Sequence, residues 1–230
     1  MVFFYLFISI AAVISNYIIA KEQFNLIATS FNSKLRETIK NYRLFDLLTV
    51  PSGWILSNIY LSIGLIHLST QVITELKTYL MISSIGLTIH SVLHNVYIVR
   101  LKNKSKNTIM QLFKSLTIFS FIYFVIFWLF KSQIYNLFFP SFQLDDKAYL
   151  LVLIYTLSGL YWLSISTIFR SQKKGSTVFK IYLSGAVAIL VFFIISPANN
   201  IIDVVGHHVI SSFVSLLTAI YFVLKINEKK

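Results

Sequence analysis

Residues 112–131 read LFKSLTIFSFIYFVIFWLFK, a stretch whose only charges, Lys114 and Lys131, lie toward its two ends. A helix of about twenty residues rises roughly 30 Å, the thickness of a bilayer's hydrocarbon core, so this stretch reads as a membrane crossing. Moving outward, the same texture recurs at 2–20, 47–68, 79–99, 148–169, 178–196 and 202–224. Seven crossings account for a 230-residue chain that is 57% hydrophobic and 12% charged, with mean hydropathy +0.76. Ordinary soluble domains do not have that composition. The expected fold is an all-α membrane protein with about seven transmembrane helices.

The cations say which way the chain threads. Of 20 Lys and Arg residues, all but Lys77, Lys131 and Lys147 fall in or beside alternate gaps or in the tail. Lys21, Lys34, Arg36, Lys40 and Arg43 follow the first crossing, and Arg100, Lys102, Lys104, Lys106 and Lys114 the third. Arg170, Lys173, Lys174 and Lys180 follow the fifth, and Lys225, Lys229 and Lys230 close the chain. Cytoplasmic loops carry this excess, so the N-terminus is expected outside and the C-terminus in the cytoplasm. A net charge of +12 placed this way is explained by topology and by anionic lipid, not by nucleic acid. An outward N-terminus with no charge to anchor it suggests that an odd number of helices once preceded Met1.

Two regions follow: 1–44, a first transmembrane helix plus a cytoplasmic amphipathic linker, and 45–230, a six-helix transmembrane bundle. In the linker Phe24, Ile27, Phe31, Leu35, Ile39 and Tyr42 recur at helical spacing opposite Arg36, Lys40 and Arg43, the pattern of a helix lying in the headgroups. The first crossing lacks a basic leader and a small-residue cleavage site, so it reads as retained. Trp128, Tyr135, Phe138, Phe139 and Phe142 suit an interfacial aromatic belt. Pro140 is expected to end a short surface helix there, and Pro51 and Pro197 to sit at segment ends.

Three crossings carry polar seams. On the second, Gly53, Ser57, Tyr60, Gly64 and His67 recur at 4-3-4-3 spacing, which suits close helix packing. On the third, Ser84, Thr88, Ser91 and Asn95 form a strip flanked by His90, His94 and Tyr97. That covers about half the circumference and suits the wall of a water-filled cavity. On the seventh, Asp203, His207, Ser211, Thr218 and Tyr221 share a face. Asp203 and His207, one turn apart, are either a proton-sharing pair or a first-turn carboxylate favoured by the helix dipole beside a histidine. His90–His94 and His207–His208 have metal-ligand spacing, but the pairs lie in different zones without supporting carboxylates, so no metal is expected. There are no cysteines, and the seven glycines stand singly, which leaves no thiol chemistry and no nucleotide loop. Asp145–Asp146 read as a solvated turn. Neither an enzyme nor a cofactor is expected.

Residues 45–225 resemble the C-terminal half of bacterial lipid-linked oligosaccharide flippases, the O-antigen translocase (Wzx) type of the MOP superfamily, relatives of MATE exporters. The resemblance runs through Glu75-Leu76-Lys77-Thr78-Tyr79, then Ile98-Val99-Arg100-Leu101. It continues through Ile134-Tyr135-Asn136-Leu137-Phe138-Phe139-Pro140-Ser141-Phe142, Ala148-Tyr149-Leu150-Leu151, Phe169-Arg170-Ser171-Gln172-Lys173-Lys174 and the stretch from Ile194 to Ser212. The chain departs at Val99, where such proteins often have Pro, and around 200–206, where only Gly206 remains of a glycine-richer turn. The resemblance implies helices six to twelve of a twelve-helix transporter that moves a polyprenyl-diphosphate-linked oligosaccharide across the bacterial inner membrane by alternating access. It implies a substrate cavity lined by His90, His94, Asn95 and Tyr97, with Asn58 and Tyr60 opposite, and Asp203–His207 as an ion-coupling pair. Membrane lipid, a missing N-terminal half and a polysaccharide polymerase are the implied partners. Another MATE-like secondary exporter and a non-transporting polysaccharide-assembly protein are the alternatives.

Overall fold

The computed structural model describes residues 33–64, 68–101, 106–138 and 144–227, without side chains at 33–43, 46, 63, 93–101, 106, 138 and 226–227. The described residues form seven helices: α1 Ser33–Ile63, α2 Thr70–Leu101, α3 Lys106–Leu129, α4 Lys131–Phe138, α5 Asp146–Ser171, α6 Gly175–Ile195 and α7 Ile201–Asn227. Five of them contain stretches long and apolar enough to cross a membrane: Thr70–Val92, Asn107–Leu129, Asp146–Ser171, Gly175–Ile195 and Ile201–Lys225. The protein is an all-helical, multi-pass membrane protein. The expected crossing at 2–20 lies outside the described residues. The one at 47–68 starts within α1 and runs into residues 65–67, which also lie outside them.

Two expectations shift. α2 begins nine residues before the expected 79, because Ile73 (4% exposed) and Leu76 (0%) anchor an extra pair of turns that also carry Glu75 and Lys77. Pro51, expected at a segment end, stands inside α1, which runs unbroken through residues 44 and 45. Proline removes one backbone donor there. Hydroxyls in the flanking turns turn back on the helix, Thr49 to the Phe45 carbonyl at 2.7 Å and Ser52 to the Leu48 carbonyl at 3.1 Å. These bonds go to the carbonyls of residues 45 and 48, not to that of Leu47, whose helical donor the proline removes.

α5 is the central helix. It packs against α7 and α2 and touches α6 and α3, and 67% of its membrane stretch is buried, against 22% for α3. α1 lies mainly along α6, and α6 along α7. The helices that border α5 present apolar outer faces: Ile118, Phe121, Ile122, Ile126 and Leu129 from α3, Val187, Val191 and Ile194 from α6. In water these would form an aggregating surface; in a bilayer they are the lipid contact.

One end of the bundle is clamped where α4 meets α5. The Asp145 carboxylate caps α5 by accepting from the Lys147 and Ala148 amides at 2.8 and 3.0 Å. The Tyr79 hydroxyl accepts from the Asp145 amide at 3.1 Å and donates to its carbonyl at 3.3 Å. Asp145 is therefore half-buried and engaged, not part of a solvated turn. Lys131 reaches Asp146 at 2.7 Å while lying over the Trp128 ring at 4.7 Å. Burial pushes the Tyr135 phenol on α4 above its ordinary pKa, although the Tyr79 hydroxyl beside it draws it down. α4 is described as far as Phe138, and Pro140, expected to end it, lies outside the described residues.

At the opposite end α5 closes on a Schellman motif, Lys174 N–H to the Phe169 carbonyl at 2.9 Å and Lys173 N–H to the Arg170 carbonyl at 3.0 Å. The left-handed residue is Lys173, at φ 59, where glycine is usual.

Candidate functional site

α7 opens on a reciprocal cap. The Asp203 amide donates to Asn200 Oδ1 at 3.0 Å, and the Asp203 carboxylate accepts from the Asn199 amide at 3.1 Å. The carboxylate is thus engaged at the helix start, where the dipole also favours it. One turn on, His207 faces a different partner. Its Nδ1 forms a buried hydrogen bond with the Tyr60 hydroxyl of α1, across 147 positions of sequence. Phe192 stacks on the His207 ring at 5.0 Å, and Phe193 meets Tyr60 edge-on at 5.2 Å.

The neighbouring His208 turns inward toward α5. It is 1% exposed, with the Tyr60 ring at 5.8 Å and the Tyr155 ring at 5.6 Å. Neither of its ring nitrogens makes a hydrogen bond. The Leu56 backbone approaches the ring, outside hydrogen-bond geometry. A turn further, the Ser211 hydroxyl returns to the His207 and His208 carbonyls at 2.9 and 3.0 Å. Ser212 bonds Ser158 at 2.7 Å and accepts from Trp162 Nε1 at 3.1 Å, tying α7 to α5. Ser215, fully buried, lies against Gly185 of α6, where an added Cβ would strike its Oγ. A continuous polar column therefore runs down the inner face of α7, walled by α1, α5 and α6.

The residues expected to carry function are only partly gathered. Tyr60 and His207 meet, with Asp203 one turn away, which joins a residue expected in the cavity to one expected in the coupling pair. Asn58 turns back to the Trp54 carbonyl at 3.3 Å. His90, half-buried, pairs its Nδ1 with Ser164 Oγ of α5 at 3.2 Å. His94, Asn95 and Tyr97 stand on the last turns of α2, and their side chains lie outside the described residues. Within the strip expected beside them, Ser84, Thr88 and Ser91 are exposed on the face of α2 turned away from the bundle. Ser84 bonds back to the Met81 carbonyl at 2.7 Å and Thr88 to the Ser84 carbonyl at 2.8 Å. Of the seam on α1, a Cβ added at Gly53 would lie 3.2 Å from the Tyr182 ring and one at Gly64 3.0 Å from Ile73, so those two glycines serve close packing. His67 is outside the described residues.

Two shallow cavities open elsewhere. One of about 340 Å³ is lined by Thr117, Ser120, Phe121, Phe124, Leu157 and Tyr161, and the other, about 250 Å³, by Ile85, Thr88, Ile89, Val92 and Phe119. Both are apolar grooves at the α3 surface, and neither is lined by a histidine.

Sequence reasoning missed His208 as a site residue, and with it Tyr155, Ser158, Trp162, Ser212 and Ser215. The signal for α7 was present: 204, 208, 211, 215 and 219 recur at helical spacing and are all nearly inaccessible. That face sits about 100° from one centred on His207, a single-residue offset. Among the described residues, no three His, Asp or Glu side chains come together as metal ligands. Imidazoles, phenols and hydroxyls in one dry column can hold or relay a proton. Compared with known proteins, the chain matches no family model, no curated protein and no solved structure.

Proposed function

We infer that this chain is the C-terminal half of, or a shortened relative of, a flippase for polyprenyl-diphosphate-linked oligosaccharide in the bacterial inner membrane, with its C-terminus in the cytoplasm. One observation carries the reading: α2 turns Ser84, Thr88 and Ser91 away from its own bundle. The face is mixed, because Met81, Ile85 and Val92 are exposed on it as well; hydroxyls set among them suit the edge of a water-filled cleft shared with a second bundle better than a wholly lipid-facing surface. His90, His94, Asn95 and Tyr97 continue along the same helix toward the end where the basic residues gather. Tyr and His present a ring to sugar C–H groups and a polar tip to hydroxyls. Asn58 lines the approach in this reading, and the Tyr60–His207 bond, with Asp203 a turn away, is the ion-coupling element. Alternation between inward and outward states would come from rocking one bundle on the other.

The test is chemical. In cells lacking the protein, completed lipid-linked oligosaccharide should accumulate unpolymerised on the cytoplasmic leaflet, and re-expression should clear it. Unchanged lipid-linked pools after deletion would refute the assignment.

A further inference from the structure

We propose that His208 is a proton-binding site that controls the seam between α1 and α7. A neutral imidazole offers one donor and one acceptor, and buried polar groups almost always find partners. His208 is 1% exposed and both its nitrogens go without. Two unmet groups on one ring are poorly served by the closed seam and would both be served by water in a parted one. A proton taken up in the dry seam would leave a desolvated charge with no counter-ion in hydrogen-bond contact. Protonation therefore selects the parted arrangement, which is a population shift driven by differential binding.

The seam is built to part. α1 lies mainly along α6 and meets α7 only briefly. A buried hydrogen bond, Tyr60 to His207, spans it. That bond survives either charge state of His207, because a phenol can donate to or accept from Nδ1. Charging both adjacent histidines would set like charges side by side, so one added proton is the expected stoichiometry. The titratable groups around His208 are Tyr60 from α1, Tyr155 from α5, and His207 and Asp203 from α7 itself. From α6 come the rings of Phe192, on His207, and Phe193, on Tyr60. α2 also reaches α7; among its titratable residues Tyr79 bonds Asp145 and His90 bonds Ser164, while Glu75 bonds Gln71, and Lys77 is exposed. The inference does not depend on what cargo the protein moves.

The chain has no cysteine, so one introduced thiol reports alone. Ser211→Cys places it at a position that is 0% exposed beside the histidines, and Ser196→Cys provides an exposed reference in the α6–α7 turn. Both proteins are reconstituted in nanodiscs and labelled with a small methanethiosulfonate at pH 8 and pH 6. The ratio of the two rates cancels the common loss of thiolate. Linkage to one proton sets a ceiling of about tenfold per pH unit, and for an imidazole that titrates near its ordinary value of about 6.5 once hydrated, a rise of about fourfold between pH 8 and pH 6 is expected. His208→Phe and His208→Gln should each flatten the ratio; Gln covers the case in which the Phe variant does not fold. A flat ratio in the parent would mean a histidine holding a static water, and would overturn the proposal. So would a pH response that persists in both His208 variants, or one that only His207→Gln removes.

Discussion

Gly185→Ala tests a close approach of α6 to α7. An added Cβ there would strike Ser215 Oγ and lie 3.1 Å from both Leu56 Cδ1 and the Ser211 carbonyl oxygen. Two of the three obstacles belong to α7, and the carbonyl cannot rotate aside. Overpacking at such a site costs about 1–3 kcal/mol. Ser215 supplies the control, because its buried hydroxyl makes no hydrogen bond. Ser215→Ala alone should be neutral or mildly stabilising, since it removes an orphaned polar group. It also removes the atom that the new methyl meets first, so the double variant should recover about half of the loss, leaving the carbonyl contact in place. Gly206→Ala, on α7 with nothing within 4 Å of its added Cβ, should stabilise by up to about 1 kcal/mol through helix propensity. The four proteins are compared by equilibrium unfolding in mixed bicelles and SDS. A neutral Gly185→Ala would refute the packing described here, as would a Gly185–Ser215 coupling below about 0.5 kcal/mol, the range of independent sites.

Tyr60→Phe should destabilise by about 1–3 kcal/mol, because it strands the buried His207 Nδ1, and the same bicelle unfolding measures it. Asp145→Ala should cost about 1 kcal/mol through lost capping of α5, with Asp145→Asn close to the parent. Lys173→Gly should gain about 0.5–1 kcal/mol by relieving the left-handed backbone, read as a higher unfolding midpoint. Cysteines at 103 and 172 should label from the cytoplasm and one at 144 from the opposite face; the reverse pattern would invert the proposed orientation.

Helix class and most of the spacing were legible because a bilayer demands about twenty apolar residues per crossing, a constraint that needs no partner to be visible. Expected crossings at 148–169 and 202–224 fall inside α5 and α7, and the one at 178–196 overruns α6 by a single residue. What escaped was the centre. A helix covered on all sides spreads its polar residues around the whole circumference, so Thr156, Ser158, Ser164 and Ser166 of α5 show no seam to a periodicity search. Pro51 escaped because α1 continues through it with one backbone donor missing. The pairing of Tyr60 with His207 depends on how α1 crosses α7, which no local pattern contains. His208 was set aside as half of an incomplete metal motif, although its one-residue offset from His207 is what points it inward.

The centrality of α5 has a consequence for how the protein is made. The Ser158 hydroxyl and the Trp162 indole meet Ser212 on α7, which begins to leave the ribosome about thirty residues after α5 is complete. The Ser158 hydroxyl meanwhile donates to the Tyr155 carbonyl of its own helix at 2.9 Å, but the Trp162 indole N–H waits for Ser212 in lipid or against the translocation channel, at a modest but real free-energy cost. A product terminated before residue 201 would keep that exposed polarity permanently, giving membrane quality control a mark by which to recognise and destroy it.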